Sequence, residues 1–67
     1  MTITLNSSTE SYPEAGLSVA EILARKHWSF PLVVVRVNGV LVERGEYASS
    51  LVTDGAIVDA YHLVSGG

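Results

Sequence analysis

The sequence predicts an α+β fold, a mixed sheet of four to five strands packed on one helix. Three observations predict it. Period-two alternation of polar and apolar residues marks strands at both ends of the chain, over Thr2-Ile3-Thr4-Leu5 and again over Ile57 to Val64. Between them a single apolar stripe at helical spacing follows a capping-box pair, Ser18 and Glu21. A β-branched run then reaches Asn38-Gly39 and reverses into a second apolar run, the pattern of a tight hairpin.

Taken in order, the first strand points Ile3 and Leu5 at a core, because successive side chains of a strand alternate faces. Asn6-Ser7-Ser8 reads as a turn into a short second strand around Thr9 to Tyr12, which Pro13 and Gly16 end. The helix starts at Ser18, whose hydroxyl accepts a first-turn amide while Glu21 reaches back. Val19, Ile22 and Leu23 form its buried stripe, and Arg25 and Lys26 suit the negative end of its dipole, so it ends near His27. Trp28 and Phe30, flanking Ser29 before Pro31, close the core beneath the helix end. Leu32 to Val37 is the next strand, with Val33, Val35 and Val37 inward and Arg36 in water. Asn38-Gly39 tolerates positive φ and turns it into Val40-Leu41-Val42. Glu46 to Leu51 is expected as a short helical turn or loop, and Asp54-Gly55 punctuates the chain before the last strand.

The predicted order is strand, strand, helix, strand, strand, strand. In so few residues it leaves few solutions, of which one pairs the two terminal strands in parallel at the sheet centre through a right-handed connection. That is the β-grasp, or ubiquitin-like, arrangement. Residues 1–64 form this domain and 65–67 a flexible tail beyond it.

Bulk properties narrow the function. A chain of 67 residues makes one domain and buries only about 60% of its unfolded surface, which leaves little stability for an internal catalytic cavity. An enzyme is disfavoured. An apolar share of 48% against 16% charged is a globular balance. Cysteine is absent, which excludes a disulfide framework, a thiolate zinc site and a thiol nucleophile. A net charge of −3 with only Arg25, Lys26, Arg36 and Arg44 as basic residues leaves no stripe to displace counterions from nucleic acid. Met1 is followed at once by a strand pattern, and no apolar stretch approaches a membrane span, so a cytoplasmic location is expected. His27 and His62 lack ligand-spaced companions, so no metal site is expected. Glu43, Glu46 and Asp54 read as loop solvation, because no nucleophile, base and pocket converge with them.

The working part is expected at the end of the chain. Ser65-Gly66-Gly67 follows the last strand, and residues without a β-carbon enter a channel too narrow for side chains. At full extension the three residues reach about 10 Å. An α-carboxylate with a pKa of about 3.3–3.7 is ionised at neutral pH and a poor electrophile, so a covalent role needs an outside enzyme to activate it. The bland alternative is a frayed terminus. Beside this arm, alternation from an outward Asp59 puts Tyr61 and Leu63 on the same exposed face, with Val58 and Ala60 turned to the core. Together with Val34 on the neighbouring strand they form a candidate docking patch for a partner. A register shift of one residue inverts this assignment. Arg36 and Arg44 either pair with acidic groups of that partner or simply solvate the surface.

Several segments carry a resemblance. Ala15-Gly16-Leu17-Ser18-Val19-Ala20-Glu21-Ile22-Leu23, Val35-Arg36-Val37-Asn38-Gly39, Asp54-Gly55 and Leu63-Val64-Ser65-Gly66-Gly67 stand in the order and spacing of a known family. Over nearly its whole length the chain resembles the ubiquitin-like sulfur-carrier proteins, ThiS of thiamin biosynthesis and the related MoaD of molybdopterin synthesis. Its short length and Asn-Gly hairpin look more like the thiamin branch. It departs from the family at Glu43, Ala56 and Ser65; none of these lies in the terminal pair, so the departures bear on the pathway and not on the acyl chemistry.

The resemblance implies that the Gly67 carboxylate is the reacting group. A ThiF-like, E1-like adenylyltransferase would use ATP and magnesium to form its acyl-adenylate. A cysteine desulfurase or rhodanese would supply persulfide sulfur, and reduction would leave a thiocarboxylate. A ThiG-like thiazole synthase would accept the sulfur and return the carboxylate. The chain would then be a recycled protein cosubstrate that binds no cofactor itself. The alternatives are sulfur delivery to molybdopterin or to a sulfur amino acid, and ubiquitin-like modification of lysines.

Overall fold

Two turns and two terminal strands set the main sheet of the computed structural model, which describes residues 1–28 and 33–62. The strands β1 (Thr2–Leu5), β2 (Ser8–Ser11), β4 (Val33–Val37), β5 (Val40–Val42) and β7 (Ile57–His62) form a five-stranded mixed sheet in the order β2-β1-β7-β4-β5. β1 and β7 run parallel at its centre, Thr4 beside Ile57 and Leu5 beside Val58. The helix α1 (Val19–Arg25) covers one face. The fold is therefore the expected β-grasp, with the last strand in mid-sheet between β1 and β4.

Alternation explains the core. Ile3, Leu5, Val35, Val58 and Ala60 alternate inward along their strands and meet Val19, Ile22 and Leu23 of the helix. Ile3, Val19, Ile22, Val35 and Val52 are almost completely buried. Trp28 packs against this cluster as expected. Phe30 lies outside the described residues, as do Ser29, Pro31 and Leu32, Leu63 and Val64, where the sequence predicts the last strand to end, and the arm Ser65-Gly66-Gly67.

The capping box is formed in both directions: the Ser18 hydroxyl accepts from Glu21 N at 3.1 Å, and Glu21 Oε1 accepts from Ser18 N at 2.9 Å. The other helix end closes with two crossing bonds, Trp28 N to Leu23 O at 2.8 Å and His27 N to Ala24 O at 3.1 Å. This is the pattern of a Schellman motif, with His27 at φ +59° in the left-handed position that glycine usually takes. The basic residues of the last turn do more than face a dipole. Arg25 forms an ion pair with Glu14, and Lys26 Nζ lies 3.1 Å from Glu10 Oε1.

The structure corrects the sequence reading in the connections. The expected short helical turn or loop is present over Glu46 to Ser50, where Ser49 N and Ser50 N both donate to Glu46 O, but it begins earlier, as a 3-10 turn at Arg44–Glu46, and Leu51 already opens a strand, β6 (Leu51–Thr53). β6 pairs antiparallel with β3 (Gly16–Ser18), so Gly16 begins a strand instead of ending one, and among the described residues the order has seven strands in two sheets. The physical reason is length. Three-residue strands show no resolvable period, and Ser18 serves as both the last residue of β3 and the helix N-cap. The second strand is also displaced by one residue, to Ser8–Ser11. Asp54 does more than solvate its loop: its Oδ1 accepts from Thr2 N at 2.7 Å and anchors the start of β1.

Candidate partner-binding face

The helix covers one face of the sheet, and the opposite face is open. β7 aims Ile57, Asp59 and Tyr61 at it, because Ala56, Val58 and Ala60 alternate into the core. Antiparallel pairing sets Val34 directly across from Tyr61 and Arg36 across from Asp59. The next strand places Leu41 across from Arg36. The result is an apolar border of Tyr61, Val34, Leu41 and Ile57 around a central row with one acidic and one basic residue.

Tyr61 is 50% exposed, Ile57 54% and Leu41 55%, which is a large apolar area for three neighbouring strands of so small a chain. Val34 is half-buried and Arg36 exposed. The Tyr61 hydroxyl lies 3.5 Å from Asp59 Oδ1 on the same strand face. Among the described residues Arg36 and Arg44 make no ion pair, and no group of three or more His, Cys, Asp or Glu side chains is gathered.

Of the residues singled out in the sequence, Tyr61 and Val34 are thus brought together as a cross-strand pair. Leu63, Ser65, Gly66 and Gly67 lie outside the described residues. Leu41 and Ile57 were missed, although both had a signal. A two-residue turn at Asn38-Gly39 sets position 41 opposite position 36, and Ile57 keeps the parity of Asp59.

β7 is held on both edges by turn asparagines. Asn38 N donates to Ile57 O at 2.7 Å, and Asn38 Oδ1 accepts from Ile57 N at 2.9 Å. From the other edge Asn6 Oδ1 accepts from Ala60 N at 2.7 Å, and Asn6 Nδ2 donates to Ala60 O at 2.9 Å. The strand that carries Tyr61 and leads to the end of the chain is therefore fixed at two points.

No family model matches the chain, and no curated protein sequence matches it at a significant level. Solved structures do. The crystal structure of the thiamine biosynthesis protein ThiS from Geobacter metallireducens is 28% identical over 100% of both chains, with a TM-score of 0.88. The NMR solution structure of a thiamine biosynthesis protein from Geobacter metallireducens is 29% identical, covering 100% of this chain and 88% of that chain, with a TM-score of 0.78. The likeness spans every element described above and is not confined to one motif.

Proposed function

We propose that this chain, which belongs to the ThiS ubiquitin-like sulfur-carrier family, carries sulfur as a thiocarboxylate on Gly67 and donates it to thiazole formation in thiamin biosynthesis. The observation that carries this reading is the full-length likeness to ThiS in a chain ending Ser65-Gly66-Gly67. The chain is a cosubstrate and not an enzyme. Its own contribution is a carboxylate, a narrow approach to it, and a face by which partners hold it.

The chemistry follows from the weak electrophilicity of a carboxylate. The Gly67 carboxylate attacks the α-phosphorus of ATP in an E1-like adenylyltransferase, and pyrophosphate leaves. Magnesium and nucleotide belong to that enzyme. The terminal sulfur of a persulfide, from a cysteine desulfurase or rhodanese, then attacks the acyl carbon and expels AMP. A thiol reduces the resulting acyl disulfide, releasing the thiocarboxylate and a disulfide on the donor side. Thiazole synthase takes up the sulfur, and the carboxylate returns. A thiocarboxylate is a nucleophilic anion, so the carrier needs no cysteine, and none is present to form a competing disulfide. Because ATP is consumed, the reaction is assigned to the cytoplasm.

Docking falls to the open face around Tyr61 and Val34, to which strand parity in the sequence would add Leu63. An exposed apolar border with a polar centre suits a transient complex that must release its cargo.

The test is incubation of the chain with its adenylyltransferase, ATP, magnesium and a persulfide donor, followed by intact-mass analysis. The expected product has one oxygen replaced by sulfur, localised to Gly67 by fragmentation. Isopeptide conjugates without that mass change would favour protein modification, and an unreacted terminus would refute the proposal.

A further inference from the structure

We propose that Asn6 is a positioning residue for the C-terminal arm, acting through Ala60; the proposal rests on the sulfur-carrier reading above. Parallel pairing between β1 and β7 covers Thr4 beside Ile57 and Leu5 beside Val58. The backbone bonds on that edge run from Thr4 N to Ala56 O and from Asn6 N to Val58 O, both 2.9 Å. At Asn6 the chain takes φ +49° and turns away toward β2, so β1 has no further backbone for β7. A strand residue points both its N–H and its C=O to one side, and those of residues 56, 58 and 60 point toward β1. Ala60 would therefore be left without partners on this edge.

The Asn6 carboxamide replaces the missing residue. It has the same donor and acceptor pair as a peptide group, and both atoms engage Ala60, at 2.7 and 2.9 Å. On its other edge Ala60 sits beside Val35, between the flanking pairs of Arg36 with Asp59 and Val34 with Tyr61. The clamp thus holds β7 immediately before Tyr61, on the stretch of chain that leads to residues 63–67. A small error in the direction of a reacting group costs rate even when binding is intact, by up to about a hundredfold for a displacement of about 1 Å. Asn6 accordingly controls how well the carboxylate is aimed once the carrier is docked, not how tightly the carrier docks.

The discriminating variant is Asn6→Gly. Glycine accepts the left-handed turn angle without strain and removes only the carboxamide. Ser7→Gly, at φ +69° in the same turn, is the control, since it alters turn strain and leaves the clamp intact. Steady-state adenylation by the partner enzyme, read as pyrophosphate release, is measured for each folded variant together with amide exchange at Ala60. Asn6→Gly is expected to lose Ala60 protection and about tenfold or more in kcat, with KM for the carrier unchanged. Ser7→Gly is expected to match the native chain. Equal kcat for Asn6→Gly and the native chain overturns the inference, as does a loss confined to KM. Should Asn6→Gly fail to fold, Asn6→Asp keeps the acceptor for Ala60 N and loses the donor to Ala60 O. Its kcat is expected to fall as well, and a native value would overturn the inference. If the native chain itself is not adenylated, the sulfur-carrier reading fails and takes this inference with it, whereas native turnover with an indifferent Asn6 sinks the inference alone.

Discussion

Asn38 and Ile57 are joined by two hydrogen bonds, one from the Asn38 amide and one to its side chain, so the hairpin turn between β4 and β5 also fastens the first residue of β7. Asn38→Gly keeps the turn, whose φ of +51° suits glycine, and deletes only the bond to Ile57 N. A loss of about 1 kcal/mol is expected. Asn38→Ala deletes the same bond and forces a β-carbon into the left-handed region, adding about 1 kcal/mol. Urea unfolding midpoints should fall in the order native, Gly, Ala at constant slope. A glycine variant as stable as the native chain would mean that the side-chain bond contributes no more than glycine gains by relieving the left-handed angle.

His27 presents the opposite case. It occupies the left-handed position of the helix-ending motif at φ +59°, its side chain is exposed, and only its backbone N–H is used. His27→Gly should therefore stabilise the domain by about 1 kcal/mol by relieving that conformation. For a domain of this size such a gain raises Tm by about 4–8 °C. A lower Tm would show that the imidazole makes a stabilising contact of its own.

These two positions mark how far the sequence could be read. Asn38-Gly39 was legible because turn chemistry is local, and the outward direction of Tyr61 was legible because strand parity carries from Asp59. The capping box of Ser18 and Glu21 was legible for the same local reason. The pairing of β3 with β6 was not: each strand has three residues, and nothing local joins Leu17 to Val52. The Asn6 clamp was beyond sequence reasoning altogether. Asn6 reads as an ordinary turn residue, and its bond to a residue 54 positions away exists only because β1 ends beside β7. His27 was expected merely near the helix end, because an imidazole in a glycine position leaves no compositional trace.

The acid limb of stability should trace to two glutamates. Glu14 is held below the usual carboxylate value chiefly by its hydrogen-bonded partner Arg25, and Glu21 chiefly by the Ser18 backbone amide. A carboxyl whose folded pKa is depressed stabilises the fold above its unfolded value, about 4.3, and loses that contribution as pH falls toward the folded value. Stability should thus be insensitive to these groups near neutrality and decline below about pH 4. Glu21 is exposed and Glu14 partly so, so the effect is modest and screened by salt. In Glu14→Gln/Glu21→Gln the decline should flatten while neutral-pH stability drops slightly. An unchanged acid limb would assign it to other carboxyls.

The open face offers the sharpest separation between fold and docking. Tyr61 is half exposed and meets Val34 across the strand pair, while its neighbour Ala60 carries the inward contact. Tyr61→Glu therefore places a charge on the partner-facing surface and no charge in the core. Its unfolding free energy should stay within about 0.5 kcal/mol of native, the range for surface substitutions. If this face is where the adenylyltransferase holds the carrier, KM for the carrier should rise tenfold or so, with kcat at saturation preserved, because uniform binding and not transition-state contact has been removed. Val34→Glu, on the facing strand, should reproduce the KM effect, whereas Arg44→Glu, an exposed charge reversal in the 3-10 turn, should not. Native KM values for both face variants would move docking elsewhere; a loss confined to kcat would make the face part of the aiming apparatus that Asn6 controls.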